Sequence, residues 1–116
     1  MSTPLTIESR REGEGAAVLT LAGEVDVSNV AEVREAALKL LEDGIKRLVF
    51  DLSGVTYMDS SGLGMLVGLL KRVRESKGEV AIAGATARVS RLFDITGLKQ
   101  IFSLYEDASA ALKEVR

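Results

Sequence analysis

Along the chain the spacing of apolar positions switches repeatedly between a period of two and a period near 3.6. Residues 5–25, LTIESRREGEGAAVLTLAGEV, read as two strands around a charged, glycine-containing turn, with alternation strongest over AVLTLAG. From 28 to 43 the helical period takes over. Val30, Val33, Ala37, Leu40 and Leu41 share a face, Ser28 can cap the start, and Gly44 can end the helix. Residues 45–52, IKRLVFDL, form a short apolar run expected to be a buried strand ending near Leu52, followed by a loop, SGVTYMD. A second helix is predicted over 60–78, with Leu63, Leu66, Val67, Leu70 and Val73 on one face. EVAIAGA (79–85) is a further strand, 86–97 a short helix between a Thr86 cap and a stop at Gly97, and IFSLY (101–105) a last strand. Residues 107–116 close the chain as a helix capped by Asp107.

The predicted order is ββαβαβαβα, with no internal repeat, low-complexity tract or long linker. Strands alternating with helices need crossover connections and hence a mostly parallel sheet, to which the opening hairpin adds an antiparallel pair. The helices carry too few strongly apolar faces to cover both sides of the sheet. The expected fold is a single α/β domain over residues 1–116: a small mixed β-sheet with about four α-helices mainly on one side.

Composition narrows the chemistry. Hydrophobic residues make up 47% of the 116, enough for one core of moderate size. The longest apolar run falls well short of the ~20 residues that span a bilayer. The start, MSTPLTIESRREGEG, has no apolar signal core, so a cytoplasmic location and no membrane association are expected. The absence of cysteine removes disulfides and thiolate metal sites and agrees with a reducing compartment. A net charge of −2 and 4% aromatic residues provide neither bulk attraction nor stacking platforms for nucleic acid. There is no histidine, which removes the usual base of a serine triad and the commonest metal ligand. No G-x-S-x-G elbow surrounds any serine. The chain is therefore expected to have no catalytic residues, no metal and no cofactor.

What remains is the stretch MDSSGLG, 58–64, where the second helix begins. A serine or aspartate at such a place can simply be a cap worth ~1 kcal/mol. Yet DSS offers three consecutive candidates for one task. Gly62 and Gly64 put poor helix formers in the first turn, at roughly 1 kcal/mol each relative to Ala, and their missing side chains would let another protein approach the backbone. Met65 and Leu69 lie off the main apolar stripe and, with Gly68, can form a shallow apolar patch continuing from the serines; burial under a neighbouring helix is the alternative. A phosphoserine, near −2 in charge, would find exposed N–H groups and a favourable dipole at the helix N-terminus. It would also transform the surface offered to a partner, above all beside Asp59.

Four segments taken in order, LAGEVDVSNVAEV, VFDLSGVTYMDSSGLGMLVGL, KGEVAIAGA and VSRLFDITGLKQIF, resemble the anti-sigma factor antagonists of the STAS domain family over nearly the whole chain. The resemblance implies a domain whose unphosphorylated form binds an anti-sigma factor that is also a serine kinase, freeing a sigma factor. Phosphorylation ends binding, and a PP2C-type phosphatase restores it. The family's phosphoacceptor falls on Ser60. Asp59 then helps present the hydroxyl and contacts the kinase, and Ser61 and Gly62 are the small positions that admit it. The family's G-E-[LV]-D segment maps to Gly23, Glu24, Val25 and Asp26, expected on the loop after the second strand; partner contact by Glu24 and Asp26 and a plain turn into the helix both remain open there. Other roles within the family, as a stressosome scaffold or a subunit of a lipid-transport assembly, would equally lack catalytic groups. A phospho-accepting receiver using Asp51 or Asp59 would need a cluster of acidic ligands and a lysine ending a late strand; the early strand supplies Glu24 and Asp26, but no clear lysine ends a late strand.

Overall fold

A computed structural model describes residues 4–114, so the last two residues of the helix predicted over 107–116 lie outside the described residues. The chain opens with a hairpin: β1 (Thr6–Glu12) runs antiparallel to β2 (Ala16–Val25), with Thr6 opposite Ala22 and Glu12 opposite Ala16. Three crossovers follow. Helix α1 (Val30–Glu42) leads to β3 (Arg47–Met58), α2 (Ser60–Glu75) to β4 (Glu79–Ala83), and α3 (Ala87–Ile95) with a 3-10 turn (Leu98–Gln100) to β5 (Ser103–Tyr105). Helix α4 (Ala108–Glu114) ends the described chain. The sheet order is β1-β2-β3-β4-β5, parallel from β2 onward, so each strand pairs with its sequence neighbour.

Alternation along the central strands sorts the core into two layers. Leu19 and Leu21 of β2, Leu48, Phe50 and Leu52 of β3, and Val80 and Ile82 of β4 pack with the buried faces of α1, α2 and α3. Each large side chain so buried contributes roughly 1.5–3 kcal/mol. The intervening residues, Val18, Val49, Ala81 and Ala83, form a thinner layer with Ala108 and Ala111 of α4. Three helices thus cover one face and the short α4 the other, in keeping with the expected arrangement.

The predicted ends of the helices hold in most places. Thr86 Oγ1 accepts from Val89 N at 3.3 Å and Asp107 Oδ1 from Ala110 N at 2.8 Å, capping α3 and α4. Gly44 (φ +95°) and Gly97 (φ +76°) take the left-handed backbone that follows α1 and α3. Ser28 does not cap α1. Asn29 occupies the N-cap without a side-chain cap bond, and the Ser28 hydroxyl instead donates to Asp26 Oδ1 at 2.5 Å. The last strand is shorter than expected. Residues 98–100 form the 3-10 turn, and Phe102 leaves the strand to pack edge-on against Phe93, ring centroids 5.6 Å apart.

The larger departure is β3, which continues to Met58 instead of ending near Leu52. Opposite β2 its register slips twice, between the pairs Thr20↔Asp51 and Ala22↔Gly54, and again between Gly23↔Val55 and Glu24↔Tyr57. Each slip inserts one extra residue into β3, as in a β-bulge. The bulges break the simple alternation, which is why residues 53–59 look like a loop in the sequence. At Gly54 close approach is the reason for glycine: a Cβ there would sit 2.8 Å from the Ala22 Cβ. The extended β3 hands the chain directly to α2, with only Asp59 between them.

Candidate functional site

Asp59 builds the junction. Its backbone N–H donates to Val25 O at 3.2 Å, tying the end of β2 to the start of α2. Its side chain is the N-cap of α2, with Oδ1 accepting from Ser61 N at 2.9 Å and Gly62 N at 3.1 Å. One of the three candidate caps therefore takes the role, and the two serine hydroxyls are released from it. Ser60 is the first residue of α2 and is exposed; Ser61 is half-buried. Among the described residues the Ser60 hydroxyl makes no hydrogen bond. The structure thus leaves a serine hydroxyl without a cap role at the start of the helix, where the sequence alone also allowed a cap.

The helix N-terminus is less available to an anion than expected. A helix start leaves four N–H groups without intrahelical partners. Of these, Asp59 N is held by Val25 O, and Ser61 N and Gly62 N are held by the Asp59 carboxylate. The carboxylate already occupies the place in which a phosphate would gain most from the backbone.

Three of the expected partner contacts are corrected by burial. Met65 and Leu69 are each only 3% exposed and belong to the main core. They are not a surface patch, because α2 lies on the sheet and also packs against α1, so its buried face is wider than one stripe. Gly62 is likewise buried, and its missing side chain makes room inside the domain: a Cβ there would lie 2.6 Å from Met58 Cγ and 3.1 Å from Val25 Cγ1. It is an internal spacer where an opening for a partner was expected. Gly64 and Gly68 are exposed, and a Cβ added at either would meet nothing within 4 Å. The outer face of α2 running from Ser60 through Gly64 and Gly68 is therefore bare of large side chains.

The two glycines give a paired prediction. Gly62→Ala should destabilise the domain by about 1–2 kcal/mol, overpacking against Met58 offset in part by the better helix propensity of Ala. Gly64→Ala, in open space, should stabilise it by up to about 1 kcal/mol. Urea unfolding of the two variants checks this, and equal midpoints would contradict the packing assigned to Gly62.

The Gly23–Asp26 segment also differs from expectation. Gly23, Glu24 and Val25 are the last residues of β2, and only Asp26 lies on the loop. Asp26 organises the entry to α1: its Oδ1 accepts from Ser28 N at 2.9 Å, its N–H donates to Asn29 Oδ1 at 3.0 Å, and its carbonyl accepts from Asn29 N and Val30 N at 3.1 Å each. Asn29 Nδ2 closes the turn on Glu24 O at 2.8 Å. The side chains of Glu24 and Asp26 remain half-exposed at the same end of the sheet as Ser60, since Val25 is paired with Met58.

Features that the sequence did not single out complete this end of the molecule. Val27 is 75% exposed on the loop before α1, and Tyr57 is 42% exposed two residues before Asp59. Between the β3–α2 junction and α3 lies an open, mainly apolar groove lined by Tyr57, Met58, Asp59, Ser60, Leu63, Arg88, Leu92 and Thr96. Arg88, Leu92 and Thr96 recur at four-residue spacing, the signal that could have placed them on one side of α3. Asp51, the other candidate receiver residue, accepts from Ser53 N and Ser53 Oγ at 3.0 and 2.8 Å. Among the described residues no three acidic, histidine or cysteine side chains come together, and no helix is long and apolar enough to cross a membrane.

Comparison with known proteins identifies the fold and the family. An anti-sigma-B factor antagonist from Staphylococcus aureus is 42% identical over 84 residues, covering 72% of this chain and 78% of that protein. The crystal structure of an anti-sigma factor antagonist from Mycobacterium paratuberculosis matches with a TM-score of 0.83 at 27% identity, over 100% of this chain and 99% of the other. The Bacillus cell fate determinant SpoIIAA in its phosphorylated form has the same fold, with a TM-score of 0.77 at 19% identity over 96% and 100% of the two chains. The model of the STAS domain matches residues 9–111, and the chain belongs to the STAS domain family.

Proposed function

We infer that the protein is an anti-sigma factor antagonist switched at Ser60. Its unphosphorylated form binds an anti-sigma factor that is also a serine kinase, and a sigma factor is released. Transfer of phosphate to the Ser60 hydroxyl ends binding, and a PP2C-type phosphatase reverses it. The observation that carries this assignment is the Ser60 hydroxyl itself, exposed on the first turn of α2 and freed from capping by Asp59. The name of the Staphylococcus aureus relative, an anti-sigma-B factor antagonist, supports the regulatory role. The Bacillus neighbour, which has the same fold, exists in a phosphorylated form, and this supports a fold that tolerates a phosphate.

The partner-facing surface follows from what is exposed around that hydroxyl. Ser60, Ser61 and Gly64 provide a low, open approach along α2, Asp59 holds the turn, and Glu24 and Asp26 add acidic contacts from the neighbouring loop. Tyr57 and Val27 supply the apolar area that a kinase surface would bury. Gly64→Ala serves as a specific probe, because it should strengthen the fold yet weaken partner binding by raising a side chain into the approach path.

The direct test is capture of partners from extract of the native cell with ADP or with ATP, followed by mapping of the phosphate. A kinase should be retained with ADP and should label the protein with ATP. Ser60→Ala should abolish labelling, whereas Ser61→Ala should only slow it, since Ser61 is half-buried and its N–H is held by Asp59. Phosphate mapped to Ser61 would overturn the assignment.

A further inference from the structure

Resting on the reading of Ser60 as a phosphoacceptor, we propose that Arg88 is the intramolecular counter-ion of phosphorylated Ser60. The need for one arises from the cap. Three of the four leading N–H groups of α2 already have acceptors, and the acceptor for two of them is the Asp59 carboxylate. A phosphate on the adjacent residue therefore meets a like charge where a bare helix N-terminus would have offered donors. A cation close by would offset that repulsion.

The groove beside Ser60 supplies it. Its ionisable lining groups are Tyr57 from β3, Asp59 from the junction and Arg88 from α3, so Arg88 is its one cation among the described residues. The other polar lining group on this side, Thr96 at the C-cap of α3, is committed, its hydroxyl donating to Leu92 O at 2.6 Å. Arg88 is exposed on the first turn of α3 and takes part in none of the ion pairs Arg10–Glu12, Arg11–Asp43 and Arg74–Glu79. A guanidinium presents several donors in a planar fork that matches phosphate oxygens. The remaining lining residues of α3 and α2, Leu92 and Leu63, are apolar and offer the phosphate no competing partner.

The consequence is a change confined to the phosphorylated form. The Arg88 side chain would reach across the groove to the phosphate, narrow its mouth and cover part of the apolar lining that the unphosphorylated form offers, while α3 stays anchored through Thr86 and the buried Val89. It would also favour the dianion of the phosphate over the monoanion.

Phosphoserine incorporated at position 60 during synthesis tests this without any kinase, so the outcome is independent of whether a kinase uses the site. Phosphorus NMR titration should give a second phosphate deprotonation about 0.5 pH unit lower in the phosphorylated wild type than in phosphorylated Arg88→Gln, with Arg88→Lys between them. Proton NMR of the wild type should show the Arg88 Nε–H signal moving on phosphorylation. Identical titration curves for wild type and Arg88→Gln, with an unmoved Arg88 signal, would overturn the proposal. Failure of the kinase capture experiment would instead count against the proposed function and leave these curves unaffected.

Discussion

Phosphate on Ser60 should lower affinity for the anti-sigma partner by about a hundredfold or more while leaving the fold of the domain unchanged. Ser60 is exposed and contributes nothing to either core layer, so a phosphate there displaces no packed side chain. At an interface the same group adds a charge near −2 beside Asp59. Burying that charge opposite a surface shaped for a neutral hydroxyl costs on the order of several kcal/mol. Ser60→Asp should reproduce part of the loss, since it carries less charge and fewer acceptor atoms. Calorimetric titration of each form against the captured partner measures the effect. Amide spectra of the two free forms should differ only over residues 58–66 and the facing turn of α3. Shifts spread across β4, β5 and α4 would show an allosteric switch and remove the case for direct exclusion.

Met65→Lys should unfold the domain or lower its stability by about 3–5 kcal/mol, the second large effect. Met65 is 3% exposed within the layer formed by α1, α2 and the sheet, and among the described residues no acidic side chain is buried there to receive an ammonium group. The substitution removes the packing of a thioether and places an unpaired charge in an apolar site. Lysine could relieve part of this by extending its stem toward solvent, which limits the loss to the range given. Urea unfolding followed by circular dichroism checks it. A variant with a near wild-type midpoint would mean that this side of α2 is a surface after all, and the docking patch expected from the sequence would return.

Most of the architecture was legible because it rests on local rules. The period changes mark the helices, Thr86 and Asp107 cap as their positions suggest, and β-strand alternation separates Leu48, Phe50 and Leu52 from Val49. The length of β3 was not legible, because its two bulges disrupt alternation and their cause is the neighbouring strand, to which Gly54 is fitted. The entry to α1 was not legible for a similar reason. Ser28 has a cap residue's chemistry, but Asp26 competes for its hydroxyl and Asn29 completes the turn.

By itself the sequence determined that a serine hydroxyl stands at the start of α2, that no histidine or cysteine accompanies it, and that alternating strands and helices make a mostly parallel sheet. These are consequences of residue type and short-range spacing, which the rest of the chain cannot alter. Only the tertiary structure decided which of Asp59, Ser60 and Ser61 caps the helix, since that depends on the strand end that delivers Asp59 beside Val25. It alone decided that Gly62 is a spacer and Gly64 a surface, and that Met65 and Leu69 are core. Burial on a helix is set by how many neighbours cover it. Here the sheet and α1, distant in sequence, together bury more of α2 than its own periodicity reveals. The same long-range assembly brings Arg88 to the groove that holds Ser60.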